Sequence, residues 1–406
     1  MAFCELKSQT GKKDQIPQTV WALGFVSLFM DISSEIIHSL LPVFLVSVLG
    51  ASVGMVGLIE GVAEGTVMIT RIFSGSLSDW LGRRKVLALF GYGLGALSKP
   101  LFALAPGIGV AFTARLVDRI GKGVRGAPRD ALIADVTLPN QRGAAYGLRQ
   151  SLDSVGAFAG PLLAIGLMLW TGNQFRTVFW IAFIPGVIAV IILFKLVKEP
   201  KFSGRKTFIS PFKRKNLALL GRHYWLVVLV GVLFTLARFS EAFLLLRAED
   251  IGLRVALIPL ILVVMNIAYS LTAFPAGKLS DRIGRKGLMA SGLLVLIAAD
   301  LLLGAAGTLW QVFLGVGLWG LHLGLTQGIL SAWIADSANP DLRGTAFGVF
   351  GLCNGIAILI ASVLAGWLWQ RFSPDMTFFS GAGIAAAALL GFMLIGKVQP
   401  PGVKAF

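Results

Sequence analysis

The sequence predicts an all-α membrane protein with twelve transmembrane helices in two six-helix, pseudo-symmetric halves. Three observations support this fold class: the composition, twelve apolar segments of spanning length, and a repeated loop motif. Hydrophobic residues make up 56% of the 406 residues, charged residues 14%, and the mean hydropathy is +0.80. A water-soluble chain of this length could not bury so much apolar surface. The bilayer is therefore the expected solvent for most of the chain.

Twelve segments are apolar and long enough to cross a hydrocarbon core about 30 Å thick. They cover residues 19–46, 53–77, 86–105, 109–134, 144–170, 177–198, 224–247, 254–276, 287–307, 310–334, 344–370 and 377–397. We therefore divide the chain into an N-terminal tail (1–18), an N-terminal half (19–198), a basic linker (199–223), a C-terminal half (224–397) and a C-terminal tail (398–406).

The net charge of +16 comes mainly from basic residues in the tails, the linker and the connections on one side of the predicted bundle. Cytoplasmic loops of membrane proteins carry such an excess of lysine and arginine. The chain is therefore expected to be a multi-pass protein of the plasma membrane with both termini in the cytoplasm, and nucleic acid is not an expected partner. The linker either lies along anionic lipid headgroups or only sets the orientation.

An internal repeat relates the two predicted halves. The loop motif at residues 75–85 recurs at 277–286, an offset of 202 positions. Residues 134–147, which begin Ala-Asp, recur at 335–348 with an offset of 201, and Ser34-Glu35 matches Ser240-Glu241 at 206. Ordered matches of this kind indicate two halves of the same orientation, which is the architecture of alternating-access transporters.

These motifs resemble those of the major facilitator superfamily, a family of twelve-helix secondary transporters, and the resemblance covers nearly the whole chain. Arg115 occupies the place of a common arginine in the fourth helix. Gly156, Gly160 and Pro161 resemble the signature of drug exporters, although Leu163-Ala164 then replaces a glycine pair. The resemblance implies a monomeric carrier whose halves rock about a central cavity. The first loop carries the signature residues Gly75, Leu77, Asp79, Gly82, Arg83 and Arg84.

The resemblance also implies a conformational latch at the cytoplasmic ends of the helices. Asp79 and Asp281 would lie near helix N-termini of the opposite half, where a carboxylate is favoured. Arg83 or Arg84 would meet Asp135. In the second half, Arg285 or Lys286 would meet Asp336. These contacts would form when the cytoplasmic side is shut and part when it opens.

The fourth predicted helix carries a stripe of charges. At about 100° per residue, its charged side chains fall within an arc of roughly 140°. We predict that Arg115, Arg119 and Lys122 face a cavity and attract anionic solutes. The alternative is a structural network in which Asp118, Asp130 and Asp153 neutralise the cations. The stripe consists of Arg115, Asp118, Arg119, Lys122, Arg125, Arg129 and Asp130.

Acidic residues in cavity-lining helices are candidates for proton coupling, because a carboxyl in an apolar wall can hold a proton. Asp31, Glu35 and Glu241 are the predicted proton sites. A permanent pairing of Glu35 with Arg115 or Arg119 is the alternative. The predicted cavity set is Asp31, Glu35, His38, Glu64, Arg115, Asp118, Arg119, Lys122, Asp153, Arg238, Glu241 and Asn354.

We therefore expect a secondary active transporter of a small organic solute, with anionic character favoured, coupled to protons and working in export. The alternatives are a carrier of divalent metal or metal chelate using Asp31, Glu35 and His38 as ligands, and a non-transporting membrane receptor. No cofactor is expected, since nothing resembles a nucleotide-binding lysine loop. No nucleophile–base pair has a recognisable spacing, so an enzyme is not expected.

Overall fold

The computed structural model describes residues 16–138, 141–199, 219–283, 285–337 and 343–395, and every regular element in these ranges is helical. Most of both predicted tails and of the linker 199–223 lies outside the described residues. The described helices form two halves of six spans each, which confirms the predicted fold class.

The first half contains spans α1 to α6, and α1 is broken near its end. Its parts are α1a (Gln18–His38) and α1b (Leu41–Val43), followed by a π-helical turn (Phe44–Val48). Pro42 lies at the start of α1b, where its missing N–H is tolerated. The other helices are α2 (Val53–Leu81), α3 (Arg84–Ala103), α4 (Ile108–Val136), α5 (Arg142–Thr171) and α6 (Phe175–Leu196).

The second half repeats this plan. Span α7 is broken into α7a (Arg222–Leu236) and α7b (Ala242–Asp250), and a 3₁₀ turn (Val255–Leu257) precedes α8. The other helices are α8 (Leu260–Ile283), α9 (Arg285–Gly304), α10 (Leu309–Ser337), α11 (Arg343–Arg371) and α12 (Pro374–Ile395). Helices α9 and α10 begin and end 201 positions after α3 and α4, so the sequence repeat is a structural repeat.

Hydropathy alone identifies ten of these twelve spans within the described ranges. The helix α4 is not among them because charged residues interrupt its apolar sequence. Each of the two parts of α7 is too short to cross the membrane alone, although α7a is apolar. The two spans that hydropathy does not identify contain residues predicted to carry function: α4 carries the charged stripe, and the break in α7 contains Arg238 and Glu241.

The two halves meet closely along α2 and α11. A methyl group on Gly366 would lie 2.9 Å from the carbonyl oxygen of Val53, and one on Gly65 would lie 3.0 Å from that of Gly355. Small residues let the backbones approach to this distance. Helices α5 and α8 also meet, where the Asn266 side-chain N–H donates to the carbonyl of Ala157 over 3.4 Å.

The end of the bundle where α1 joins α2 is closed, and we call it the plug end. The short helices α1b and α7b meet there, and Phe44, Leu45, Phe243 and Leu244 are fully buried. A hydrogen bond of 2.7 Å from the Ser47 hydroxyl to the Glu249 carboxylate also joins the two halves. The other end, where α2 joins α3, is the motif end.

Overfilling the α2–α11 contact should destabilise the bundle. We expect Gly366→Ala to lower stability by about 1–3 kcal/mol, because the new methyl group meets backbone that cannot move away easily. Thermal unfolding in detergent measures this change. Gly317→Ala is the matched control, since no atom lies within 4 Å of the methyl group it adds. Equal melting of the two variants would show that the close contact does not hold the halves together.

Candidate functional site

Two adjoining chambers lie between the halves. The smaller one, about 320 Å³, lies at mid-bundle, and the larger one, about 910 Å³, extends from it toward the motif end. Both are lined by Glu35, Lys122, Ala157 and Asn266, so they form one route. Arg71, on the wall of the larger chamber, has a 58% exposed side chain. The bundle is therefore open at the motif end and closed at the plug end.

Charged and polar side chains from both halves line the smaller chamber. The N-terminal half contributes Glu35, His38, Glu64, Arg119 and Lys122. The C-terminal half contributes Arg238, Glu241, Asn266 and Asn354, together with the indole of Trp319. Asn354 accepts a hydrogen bond from Thr235 over 3.2 Å, which fixes its amide. Ten of the predicted cavity residues line one or both chambers: Asp31, Glu35, His38, Glu64, Arg119, Lys122, Asp153, Arg238, Glu241 and Asn354.

Some of the charges in the smaller chamber are paired and others are not. Glu35 lies 3.3 Å from Nδ1 of His38, and Arg119 contacts Glu64 at 3.1 Å. The structure does not show the alternative pairing of Glu35 with Arg115 or Arg119. Within the described part of the chain, the side chains of Lys122, Arg238 and Glu241 make no hydrogen bond or direct ion pair, although Arg238 and Glu241 are near enough to attract each other. The chamber therefore holds two unpaired cations, one from each half, and one unpaired carboxylate.

The larger chamber has an excess of basic residues. Its acids are Asp31, Glu35 and Asp153, and Asp153 is held by Arg149 at 2.7 Å. Arg125 lies over the ring of Tyr92, with 4.9 Å between the guanidinium carbon and the ring centroid. The basic residues on its wall are Arg71, Lys122, Arg125, Arg129 and Arg149. A route lined in this way raises the local concentration of anions.

Arg115 and Asp118 line neither chamber, contrary to the sequence prediction. Arg115 is 1% exposed, and its guanidinium lies 2.5 Å from the Glu60 carboxylate, which is fully buried. Asp118 accepts from Lys99 at 2.6 Å and from Arg119 at 2.9 Å. The stripe of α4 is thus divided along the helix axis, because Arg115 and Asp118 belong to a buried network whereas Lys122 faces the route.

Sequence reasoning missed two members of this network. Glu60 neutralises Arg115, and the available signal was its position one helical turn before Glu64 on the same face of α2. Lys99, which is not among the predicted site residues, donates to Asp118 and to Ser34. The acids predicted to neutralise the cationic stripe, Asp130 and Asp153, do pair with Arg129, at 3.1 and 3.9 Å.

The latch prediction is partly visible. Arg84 contacts Asp135 at 2.7 Å, joining the start of α3 to the end of α4, and Gly82 ends α2 in the left-handed region at φ 61°. Both partners belong to one half, and the pair is present while the motif end is open. The expectation that it must part on opening is therefore not met here. Gly75 of α2 lies beside Ala127 of α4, and Arg83 is the residue immediately before α3. The side chains of Asp79, Asp281, Arg285 and Asp336 lie outside the described residues.

The glycines of the exporter-like motif bring α5 against the acidic face of α1. A methyl group on Gly156 would lie 2.9 Å from Cβ of Asp31, and one on Gly160 would lie 2.5 Å from Cβ of Glu35. Pro161 follows at once and is buried. The backbone of α5 therefore packs directly against the part of α1 that carries two of the three predicted proton sites.

The alternative metal site does not form in this structure. Within the described residues, no three histidine, cysteine, aspartate or glutamate side chains come together as metal ligands. Glu35 and His38 contact each other, whereas Asp31 faces the larger chamber. The ligand set of Asp31, Glu35 and His38 is thus not assembled.

Comparison with known proteins gives matches over most of the chain. The family model for the Major Facilitator Superfamily matches residues 23–247 and 227–406. An uncharacterised MFS-type transporter of Methanocaldococcus jannaschii is 32% identical over 388 residues, which cover 94% of this chain and 96% of that protein. The ectoine/proline transporter of Corynebacterium glutamicum is 24% identical over 368 residues, covering 80% and 72%. A crystal structure of a POT family transporter in complex with 5-aminolevulinic acid has a TM-score of 0.79 at 14% identity, covering 93% and 96%.

Breaking the buried Arg115–Glu60 ion pair should destabilise the fold. Removing one partner leaves an uncompensated buried charge, so Arg115→Met should lower the free energy of unfolding by about 3–5 kcal/mol. The double variant Arg115→Met/Glu60→Leu should recover most of that loss, because neither charge remains. Denaturant unfolding of the purified protein in detergent measures both. A double variant no more stable than Arg115→Met would contradict this account.

Proposed function

Because the chain belongs to the Major Facilitator Superfamily and is a secondary transporter in a membrane, we propose that its substrate is a small organic solute with an anionic group. We further propose that the solute is exported by alternating access, in exchange for protons. The family membership disfavours the receptor alternative and an enzymatic role. The two chambers are the space in which a small molecule can bind, and the residues that line them determine which solute fits.

The observation that carries this proposal is the pair of unpaired cations in the smaller chamber. Lys122 on α4 and Arg238 at the break of α7 line the same space from opposite halves. An unpaired charge in a low-dielectric site is costly, and an anionic ligand offsets that cost. A carboxylate or phosphate between these two side chains would also draw the halves together. Substrate binding and closure of the motif end would then be one event.

The unpaired Glu241 narrows the class of solute. It leaves an excess of one positive charge among the three unpaired groups of the smaller chamber. The chamber therefore suits a solute with net anionic character that also carries a hydrogen-bond donor for Glu241. The basic wall of the larger chamber would gather such a solute from the open end.

Proton coupling in this proposal uses Asp31, Glu35 and Glu241, which all face the route. Glu35 and Glu241 lie in the smaller chamber with the cations, so a proton on either acid changes the charge that the solute meets. Protonation and substrate binding would therefore compete or cooperate through the charge balance. The contact of Gly156 and Gly160 with the acidic face of α1 supports export, because it joins the exporter-like motif to these acids.

We also propose that the motif end faces the cytoplasm, because basic residues concentrate in the tails and connections of that side. A monomer in the plasma membrane is part of the same proposal. The basic linker would then lie beside anionic lipid. In this orientation the structure is inward-open, ready to take up solute for export.

Neutralising either unpaired cation should weaken binding of an anionic solute. We expect Lys122→Gln and Arg238→Gln each to lower affinity by roughly tenfold to a hundredfold, the cost of losing a charge-assisted hydrogen bond. Calorimetric binding of a panel of carboxylates and their amide analogues measures this effect. Lys195→Gln and Arg254→Gln, which lie outside both chambers, are the matched controls. An equal loss of affinity for carboxylates and amides would refute an anion site.

Removing the charge of a coupling acid should separate exchange from gradient-driven transport. We expect Glu35→Gln and Glu241→Gln to abolish accumulation driven by a pH gradient while solute exchange continues, since each variant can no longer load and release a proton. Proteoliposomes with an imposed pH gradient provide the measurement. Glu249→Gln is the control, because it lies at the plug end and glutamine can still accept from Ser47. Full coupling in both variants would remove these acids from the mechanism.

A further inference from the structure

A buried carboxyl group in the C-terminal half has no partner. Asp300 lies on α9 and is 0% exposed, and within the described part of the chain neither carboxyl oxygen accepts a hydrogen bond or forms an ion pair. Two other polar atoms described in this half are also buried without a hydrogen-bond partner: Nε1 of Trp319 and Nε2 of His322. None of the three was assigned to the cavity by sequence.

Helices α10 and α12 and the break in span α7 surround the Asp300 carboxyl. The indole of Trp319 on α10 faces it without reaching hydrogen-bond geometry. A methyl group on Gly381 of α12 would lie 2.7 Å from Oδ2 of Asp300 and 3.0 Å from the ring of Phe239, which follows α7a. Glycine at 381 thus lets the α12 backbone close over the acid. The surroundings are aromatic rings and helix backbone.

Among the described side chains of the elements packed against α9, none brings a counter-charge to this carboxyl. On α10 the described titratable group is His322, whose Nδ1 lies 3.1 Å from the Gly292 carbonyl oxygen. On α12 it is Asp375, which is held at the plug end by Arg247. The described side chains of α8 carry no charge. Arg238 and Glu241 of span α7 lie in the smaller chamber, which Trp319 also lines.

The fold does not require an unpaired acid at this place, because the equivalent positions in the N-terminal half carry an ion pair. The position 201 residues before Asp300 is Lys99, and the position 201 before Trp319 is Asp118. Lys99 and Asp118 form an ion pair of 2.6 Å, so the N-terminal half closes the equivalent site with opposite charges. The C-terminal half has an acid in place of the lysine and an indole in place of the acid.

A lone carboxylate in such an enclosure costs far more free energy than the neutral acid. We therefore propose that Asp300 is a proton-binding site of this carrier, separated from the smaller chamber by the indole of Trp319. The proton is taken from water in the chamber, forms an O–H bond with the carboxyl, and returns to water when Trp319 moves aside. Trp319 keeps its own N–H, which donates to the carboxylate whenever Asp300 is ionised. This role rests on the proposed proton coupling and adds to it a site outside the chamber wall.

A proton fits this site better than a metal cation. A sodium ion needs several oxygen ligands, and the groups that enclose Asp300 are an indole, a phenyl ring and helix backbone whose carbonyls bond within the helix. A proton needs one oxygen and no further ligand. The site is therefore assigned to a proton rather than to a coupling metal ion.

Infrared spectroscopy of the full-length protein in lipid tests the assignment without any substrate. We expect wild type to show a carbonyl stretch of a protonated carboxyl that is absent in Asp300→Asn and kept in Glu249→Gln. In heavy water the band should shift to the frequency of the deuterated carboxyl. The rate of this exchange should be roughly tenfold higher in Trp319→Phe, because the smaller ring opens the wall between Asp300 and the chamber more often. The Trp319→Phe measurement keeps the test valid if Asp300→Asn does not fold.

Several outcomes would overturn the assignment. Identical spectra for wild type and Asp300→Asn would show that Asp300 holds no proton. A band that never shifts in heavy water would mark a sealed structural acid. A band lost on adding sodium chloride at constant pH would indicate a metal cation in its place. These spectra are independent of transport, so a wild type that ignores a pH gradient would refute the proposed coupling and leave the proton at Asp300 to be judged by its own band.

Discussion

The structure depends on one electrostatic constraint, which is that a charge inside an apolar bundle must be paired or must face water. The N-terminal half satisfies it with a buried network in which Arg115 meets Glu60 and Lys99 meets Asp118. Once these pairs are identified, the unpaired groups of the described chain stand out. Lys122 and Arg238 face the smaller chamber. Each marks a place where water, solute or proton has to complete the structure.

The two halves share a backbone plan but not a charge plan. Helices α4 and α10 occupy equivalent positions, yet α4 carries the charged stripe and the matching described part of α10 carries none apart from His322. The exchange of Lys99 and Asp118 for Asp300 and Trp319 follows the same pattern. The N-terminal half therefore holds a buried ion pair of Lys99 and Asp118, whereas at the equivalent place the described part of the C-terminal half holds an acid without a counter-charge, Asp300. Such a division suits a carrier in which solute and proton must influence each other.

The fold could be predicted from sequence because spanning length and repeat spacing are one-dimensional properties. The site was predicted less completely. A helical arc shows which side chains share a face but not how deep each lies, and Arg115 and Lys122 are seven residues, about 10 Å, apart along one face. The first therefore enters the network while the second reaches the chamber. The breaks in α1 and α7 depend on three-dimensional packing, and the position of Glu60 one turn before Glu64 does not by itself identify Arg115 as its partner.

The contacts between the two halves differ in kind from the ionic pairs within each half. The plug consists of apolar side chains such as Phe44 and Phe243, and the α2–α11 contact uses glycines, so both can separate without leaving a charge unpaired. The ionic pairs, including Arg84 with Asp135, lie within a half and can survive the motion. A solute held between Lys122 and Arg238 would be the ionic contact that crosses from one half to the other. In the proposed mechanism, the electrostatic energy that changes with the state of the carrier would therefore be concentrated where the substrate binds.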